Sequence, residues 1–194
     1  MAVNGKKIGF AITGSHCTID EIIPQVERLV QAGAEIYPIL SLAVDSTDTR
    51  FGTAQKWKEA IKKYTKQPII TTIVGAEPIG PQKILDVLVV APCTGNTVAK
   101  LANGITDTPV LMAIKANLRN QRPVILAVST NDGLSMNAKN IGLLLNTKNI
   151  FMVPFGQDNP HGKPNSLVAD MSKILETIEV ALEGKQIQPL LVAK

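Results

Sequence analysis

The stretch Val87-Leu-Val-Val-Ala-Pro-Cys-Thr-Gly-Asn-Thr-Val-Ala-Lys-Leu-Ala-Asn-Gly-Ile-Thr-Asp107 decides the fold. Val87 to Ala91 is a continuous apolar run rich in β-branched residues, as expected of a strand buried on both faces of a parallel sheet. Pro92, which has no N–H for a ladder, is expected to end that strand. Thr94 to Thr97 then read as a short polar turn. Val98, Ala99, Leu101, Ala102 and Ile105 recur at helical spacing and predict a helix over about 97–104. A strand, a polar turn and a helix in that order leave free backbone N–H groups and short side chains at the strand's carboxyl end. Open α/β sheets bind ligands there.

Working outward, apolar runs alternate with helical patterns along the whole chain. Strands are predicted at Ile8–Ile12, Glu35–Leu40, Ile69–Val74, Val87–Ala91, Val124–Val128 and Ile150–Val153. Helices are predicted at about 19–32, 54–65, 97–104, 109–119, 136–146 and 165–183. In the first helix Thr18 and Glu21 have capping-box spacing and Gly33 suits the C-terminal stop, while Pro24 suggests that the regular helix begins there. Proline and glycine gather at Gly75–Pro81 and Pro154–Pro164, which read as loops. The alternation predicts an α/β fold: a single-domain, three-layer sandwich over residues 1–194 with a doubly wound, mostly parallel, Rossmann-like sheet.

With 194 residues, 45% of them hydrophobic, the chain can bury one full core. Charges or prolines interrupt every apolar run, so no membrane span is expected. Met1 to Lys7 do not read as a signal peptide, and Cys17 with Cys93 make neither a disulfide framework nor a metal-site spacing. Both are expected to be reduced thiols in a cytoplasmic protein, with no metal bound. Lys56, Lys58, Lys62, Lys63 and Lys66 cluster, but their interleaved aromatics fit a core stripe beneath a solvated helix face, and nucleic-acid binding is not expected.

Four loops at strand carboxyl ends are expected to converge. Thr13-Gly14-Ser15-His16-Cys17 follows the first strand; its glycine and Ser15 suit a phosphate, and equally suit a tight turn. It lacks the three-glycine dinucleotide fingerprint, which argues against a standard NAD site. Ser41 follows the second strand, and Pro92 to Thr97 the strand after. There Thr94, Asn96 and Thr97 offer donors and acceptors, although Asn96 could simply cap the helix. Ser129 to Leu134 is the fourth, where Asn131-Asp132-Gly133 also reads as a turn.

Pro92-Cys93-Thr94-Gly95-Asn96-Thr97, followed by Ala99-Lys100 and Gly104-Ile105-Thr106-Asp107, resembles the Pro-Ala-Ser-Ala-Asn-Thr…Ala-Lys…Gly-Ile-x-Asp signature of the FMN-dependent cysteine-decarboxylase-like flavoproteins. Pro92, Asn96 and Thr97 match identically, Thr94 replaces serine, and Cys93 and Gly95 replace alanines. The resemblance covers nearly the whole chain. It is closer still to a branch whose members serve as the B-type subunit of a two-subunit synthase of a pyridine dicarboxylate made for bacterial spores.

The resemblance implies FMN as cofactor, with Gly14 and Ser15 on its phosphate or ribityl chain and Ser41, Pro92, Thr94, Asn96 and Thr97 as further contacts. It implies that Asn131, the one residue kept from the family's Pro-Ala-Met-Asn-x-x-Met segment, meets a substrate carboxylate and takes part in catalysis. Lys163, with Arg119 and Arg122, has the charge to serve a dianionic substrate, although each reads first as an ordinary surface charge. It also implies a nicotinamide-nucleotide-binding, dehydrogenase-like A-type partner subunit, a small dicarboxylate substrate and a homo-oligomer built from trimers. One departure stands out. The decarboxylating members carry a catalytic histidine about fourteen residues before the signature proline, and here that position is Pro78, which transfers no proton. Neither His16 nor His161 obviously replaces it. A non-catalytic nucleotide-binding subunit, an FMN-dependent decarboxylase and a flavin prenyltransferase stand as alternatives.

Overall fold

A computed structural model describes residues 2–193. β1 (Lys7–Ile12), β3 (Val87–Cys93) and β4 (Val124–Thr130) are buried along nearly their whole length, as strands covered by helices on both faces must be. With β2 (Glu35–Leu40) and β5 (Ile150–Met152) they pair in parallel in the spatial order β2-β1-β3-β4-β5. The chain reverses its direction of travel between β1 and β3. The crevice above their carboxyl ends is therefore the topological switch point of the sheet.

The helices are α1 (Ile19–Gln31), α2 (Leu42–Ser46), α3 (Ala54–Lys62), α4 (Ile73–Ala76), α5 (Gly95–Ala102), α6 (Pro109–Arg119), α7 (Ala138–Leu145) and α8 (Ile174–Leu182). α1 and α8 pack on each other and on β3, while α6 lies across β2, β3 and β4. Right-handed crossovers put these two groups on opposite faces, which gives the expected three layers. One continuous apolar cluster runs from Val3 to Ala181. The lysine-rich face of α3 is solvated as expected: Trp57 and Ile61 are buried, while Lys56 pairs with Asp20 at 3.2 Å and Lys58 with Asp45 at 2.9 Å.

Several expectations need correction. Pro92 does not end β3. The ladder to β4 shifts register between Val90 and Cys93, and a proline without an N–H is tolerated at such an irregularity. Ile69–Val74 is not a strand; only Ile70 pairs, with Ile39 of β2, and Thr72 then accepts from Gly75 N–H to start α4. The Gly75–Pro81 loop is thus partly helical. α1 begins at Ile19 rather than Pro24; the proline costs the helix one bond to the exposed Asp20 carbonyl, which water can reach. The capping box is not formed either, since the Thr18 hydroxyl donates to Ser15 O. At the other end, Gly33 N–H and Ala34 N–H close on Val30 O and Leu29 O, the glycine stop that was expected.

The largest departure lies after β5. The span 165–183 is not one helix, and Pro154–Pro164 is not all loop. β6 (Phe155–Gly156) and β7 (Leu167–Ala169) form an antiparallel pair, and β7 also pairs with Ser129–Thr130 at the end of β4. The hairpin carries residues 157–166 to the carboxyl edge of the sheet, beside the switch point.

Candidate functional site

Two clefts open over the switch point and share Gly14 and Thr94. The β2-side cleft, of about 320 Å³, is lined by Thr13, Gly14, Ser41, Leu42, Ala43, Thr94, Asn96, Thr97, Thr108 and Val110. It contains no charged side chain. The β4-side cleft, of about 470 Å³, takes in Ser15, Cys17, Glu21, Gly95, Ser129, Thr130, Asn131, Asp158 and Lys163. Both volumes fall in the range of small-molecule sites, about 300–1,000 Å³.

Thr13 ties the two central loops together: its hydroxyl donates to Pro92 O at 2.7 Å and accepts from Thr94 N–H at 3.0 Å. Pro92 is buried in β3 and lines neither cleft; it contributes through this carbonyl. The Ser15 hydroxyl lies 2.8 Å from that of Ser129, which joins the first loop to β4. Thr94, not Asn96, caps α5, accepting from Thr97 N–H at 3.3 Å. The exposed side chains of Asn96 and Asn131 make no hydrogen bond among the described residues and line the β2-side and β4-side clefts respectively.

Ser41 is the most informative of these residues. It occupies the cap position of α2, yet its side chain makes no cap bond, and its buried Oγ has no partner among the described residues. A buried hydroxyl is normally satisfied. A polar ligand in the β2-side cleft would supply what is missing. The cleft fits a flavin mononucleotide on three counts: its lining is uncharged and hydroxyl-rich, it has an orphan acceptor-donor, and Gly14 is placed so that a Cβ would come 3.1 Å from Ala43 Cβ.

Lys163 does reach the β4-side cleft, but it is engaged by Asp158 at 3.2 Å. Arg119 and Arg122 line neither cleft; Arg122 instead donates to the Lys83 and Leu85 carbonyls just before the amino end of β3. His16 sits beside Gly14, its Nδ1 buried without a partner, and burial lowers its pKa below the ordinary histidine value. His161 is exposed on the 157–166 loop. Pro78 lies in a 3-10 turn, Glu77–Ile79, packed against α6.

Sequence reasoning did not single out Thr13, Ser129, Thr130, Thr108 or Asp158. Thr108 carried a usable signal, a threonine immediately before a helix-starting proline, and its hydroxyl does accept from Leu111 N–H. Asp132 was also missed as more than a turn residue. Thr130 Oγ1 donates to its Oδ1 at 2.5 Å and Asn137 Nδ2 to its Oδ2 at 2.8 Å. The Thr130 bond, with help from Asn137 and against the effect of burial, holds the Asp132 carboxyl below the usual carboxylate range.

The flavoprotein family profile matches residues 2–180. The B-type subunit of dipicolinate synthase from Bacillus subtilis is 53% identical over 191 residues, 98% of this chain and 96% of its own. A crystal structure of the corresponding dipicolinate synthase chain from Bacillus halodurans superposes with a TM-score of 0.93 at 53% identity, covering all of both chains. At 18% identity, a PPC decarboxylase mutant complexed with pantothenoylaminoethenethiol shares the fold, with a TM-score of 0.68 over 92% of this chain and 98% of its own. The switch-point clefts and the full-length relationship lead to one assignment: this chain belongs to the flavoprotein family.

Proposed function

We propose that this chain is the FMN-binding, B-type subunit of a dipicolinate synthase, acting with an A-type subunit to turn a dihydrodipicolinate precursor into dipicolinate in the mother-cell cytoplasm of a sporulating bacterium. The observation that carries the flavin assignment is the buried, unpartnered Ser41 hydroxyl in the uncharged cleft at the switch point. The 2-1-3-4-5 strand order supports it, because flavodoxin-like sheets hold FMN at that β1/β3 crevice. The full-length relationship to the B-type chain of dipicolinate synthase supports the reaction.

Bound FMN would supply a two-electron acceptor for a dihydropyridine ring that becomes aromatic. The chain's own residues do the rest. Gly14, Ser15 and the first N–H groups of α5 take the phosphate and ribityl end. Ser41, Thr94, Asn96 and Thr97 hold the polar edge of the flavin. Asn131 donates to one substrate carboxylate, and Lys163, released from Asp158, pairs with the other. Glu21 and Asp158 line the same cleft and repel a dianion, which restricts the ways it can lie. Cysteine-type decarboxylation is disfavoured, because Pro78 stands where that reaction's proton-transfer group belongs.

The test is anaerobic mixing of the protein with the dihydrodipicolinate precursor, with and without the A-type subunit, while flavin bleaching and dipicolinate absorbance are followed together. Bleaching by this chain with dipicolinate formed supports the proposal. Dipicolinate formed with the A-type subunit while the flavin stays oxidised would assign the redox step to the partner. Homo-oligomerisation, expected to proceed by trimers, is checked by light scattering; a 20.8 kDa monomer at working concentration would refute it.

A further inference from the structure

Asp132 does more than a turn aspartate, which folds its carboxylate back on its own backbone. Besides its own backbone N–H, two side chains hold its carboxylate, the Thr130 hydroxyl on Oδ1 and the Asn137 amide on Oδ2. Its carbonyl is also engaged, accepting from Ser135 N–H and Asn137 N–H at 3.1 Å each. Asn137 is itself buried and anchored to α7, because its Oδ1 accepts from Asn140 Nδ2 at 2.8 Å. The chain Thr130–Asp132–Asn137–Asn140 thus ties the end of β4 to the first turn of α7, and Asn131 is held between its first two members.

The same cluster abuts the opposite wall of the site. Gly95 is the first residue of α5, and a Cβ built on it would lie 2.7 Å from both Asp132 Oδ1 and Asn137 Nδ2. Only a glycine lets the α5 start approach so closely. Gly95 lines the β4-side cleft with Thr94, Thr130 and Asn131, and it also lines a third cleft with Asn96, Asp132, Asn137 and Asn140. The network therefore fixes the spacing between the two loops that carry Asn96 and Asn131.

We propose that Asp132 is a positioning residue: through Thr130 and Asn137 it sets the distance between the α5 start, which receives the cofactor, and Asn131, which faces the substrate. The role rests on the flavin reading for its consequence but not for its geometry. It is steric and directional rather than a matter of charge. An asparagine at 132 can donate to Thr130 Oγ1 and accept from Asn137 Nδ2, so it preserves the spacing. An alanine preserves nothing.

The experiment compares the wild type with Asp132→Ala, Asp132→Asn and Thr130→Val, measuring amide hydrogen exchange of the ligand-free protein and affinity for FMN. Leaving buried partners unsatisfied should speed exchange across 94–98 and 130–137 about tenfold in Asp132→Ala and Thr130→Val, weaken FMN by a similar factor, and leave the β1 and β3 amides unchanged. Asp132→Asn should stay within about threefold of wild type in both measurements. Thr130→Val removes one hydroxyl at nearly constant shape, so it carries the test even if Asp132→Ala folds poorly. Unchanged exchange over 94–98 in Asp132→Ala and Thr130→Val overturns the proposal, as does an Asp132→Asn variant as impaired as Asp132→Ala. A wild type that binds no FMN overturns the flavin reading, and the exchange measurements still decide the role of Asp132.

Discussion

Replacing Ser41 by alanine should make the ligand-free protein more stable and the flavin complex weaker, and that opposition of sign tests the cofactor assignment. Serine at a helix cap usually stabilises by about 1 kcal/mol, and its loss would lower stability. Ser41 makes no such bond, so nothing of that kind is lost. Its hydroxyl is instead buried without a partner, a burden of about 1 kcal/mol or more on the ligand-free fold. Removing it should raise the melting temperature by about 2–4 °C in a chain of this size. On binding FMN the alanine variant forgoes both the new hydrogen bond, about 1 kcal/mol, and the relief of the orphan hydroxyl, about as much again. The affinity should then fall by roughly thirtyfold. Calorimetric melting of the ligand-free proteins, paired with FMN titration, measures both signs. If Ser41→Ala melts lower than wild type and binds FMN equally well, the hydroxyl serves the fold and the cleft is not the flavin site.

Three further outcomes follow from the structure. Asn131→Ala should impair dipicolinate production while leaving FMN affinity within a few-fold, because an unpaired carboxylate costs substrate binding; loss of flavin instead would make Asn131 a cofactor residue. Burial pushes the Cys93 thiol up to about 12, whereas Cys17 is exposed on the β4-side cleft. Iodoacetamide at about pH 8 should therefore add once, at Cys17, and FMN should slow that addition; two adducts on the native protein by mass spectrometry would contradict this. Burial lowers the His16 pKa in the folded chain, so just below the unfolded value of 6.5 the unfolded state binds more of the proton. Stability should fall as pH drops through that value, and His16→Asn should flatten the slope in melting curves taken between about pH 5 and 8.

Local sequence determined the elements whose burial leaves an unbroken or periodic apolar pattern. β1, β3 and β4 were legible because a strand buried on both faces leaves an unbroken apolar run, and α1, α3 and α6 because one buried stripe leaves a helical period. The loops over the switch point followed from their strands, which is why Gly14, Ser15, Ser41, Thr94, Asn96, Thr97 and Asn131 all reach two adjoining clefts, whereas the unforeseen β6–β7 hairpin brings Lys163 there. Tertiary structure alone decided the rest. Ile69–Val74 has a strand's composition, but only Ile70 finds a neighbour, whereas three-residue β7 is a strand because Ser129 and Thr130 pair with it. Composition records what a residue prefers, and pairing depends on what a distant segment brings beside it. The same reason hid Asp132, whose partners come from β4 and the start of α7, and the orphan hydroxyl of Ser41. Whether a buried polar atom is satisfied is a property of the packed neighbourhood, and no single stretch of chain contains it.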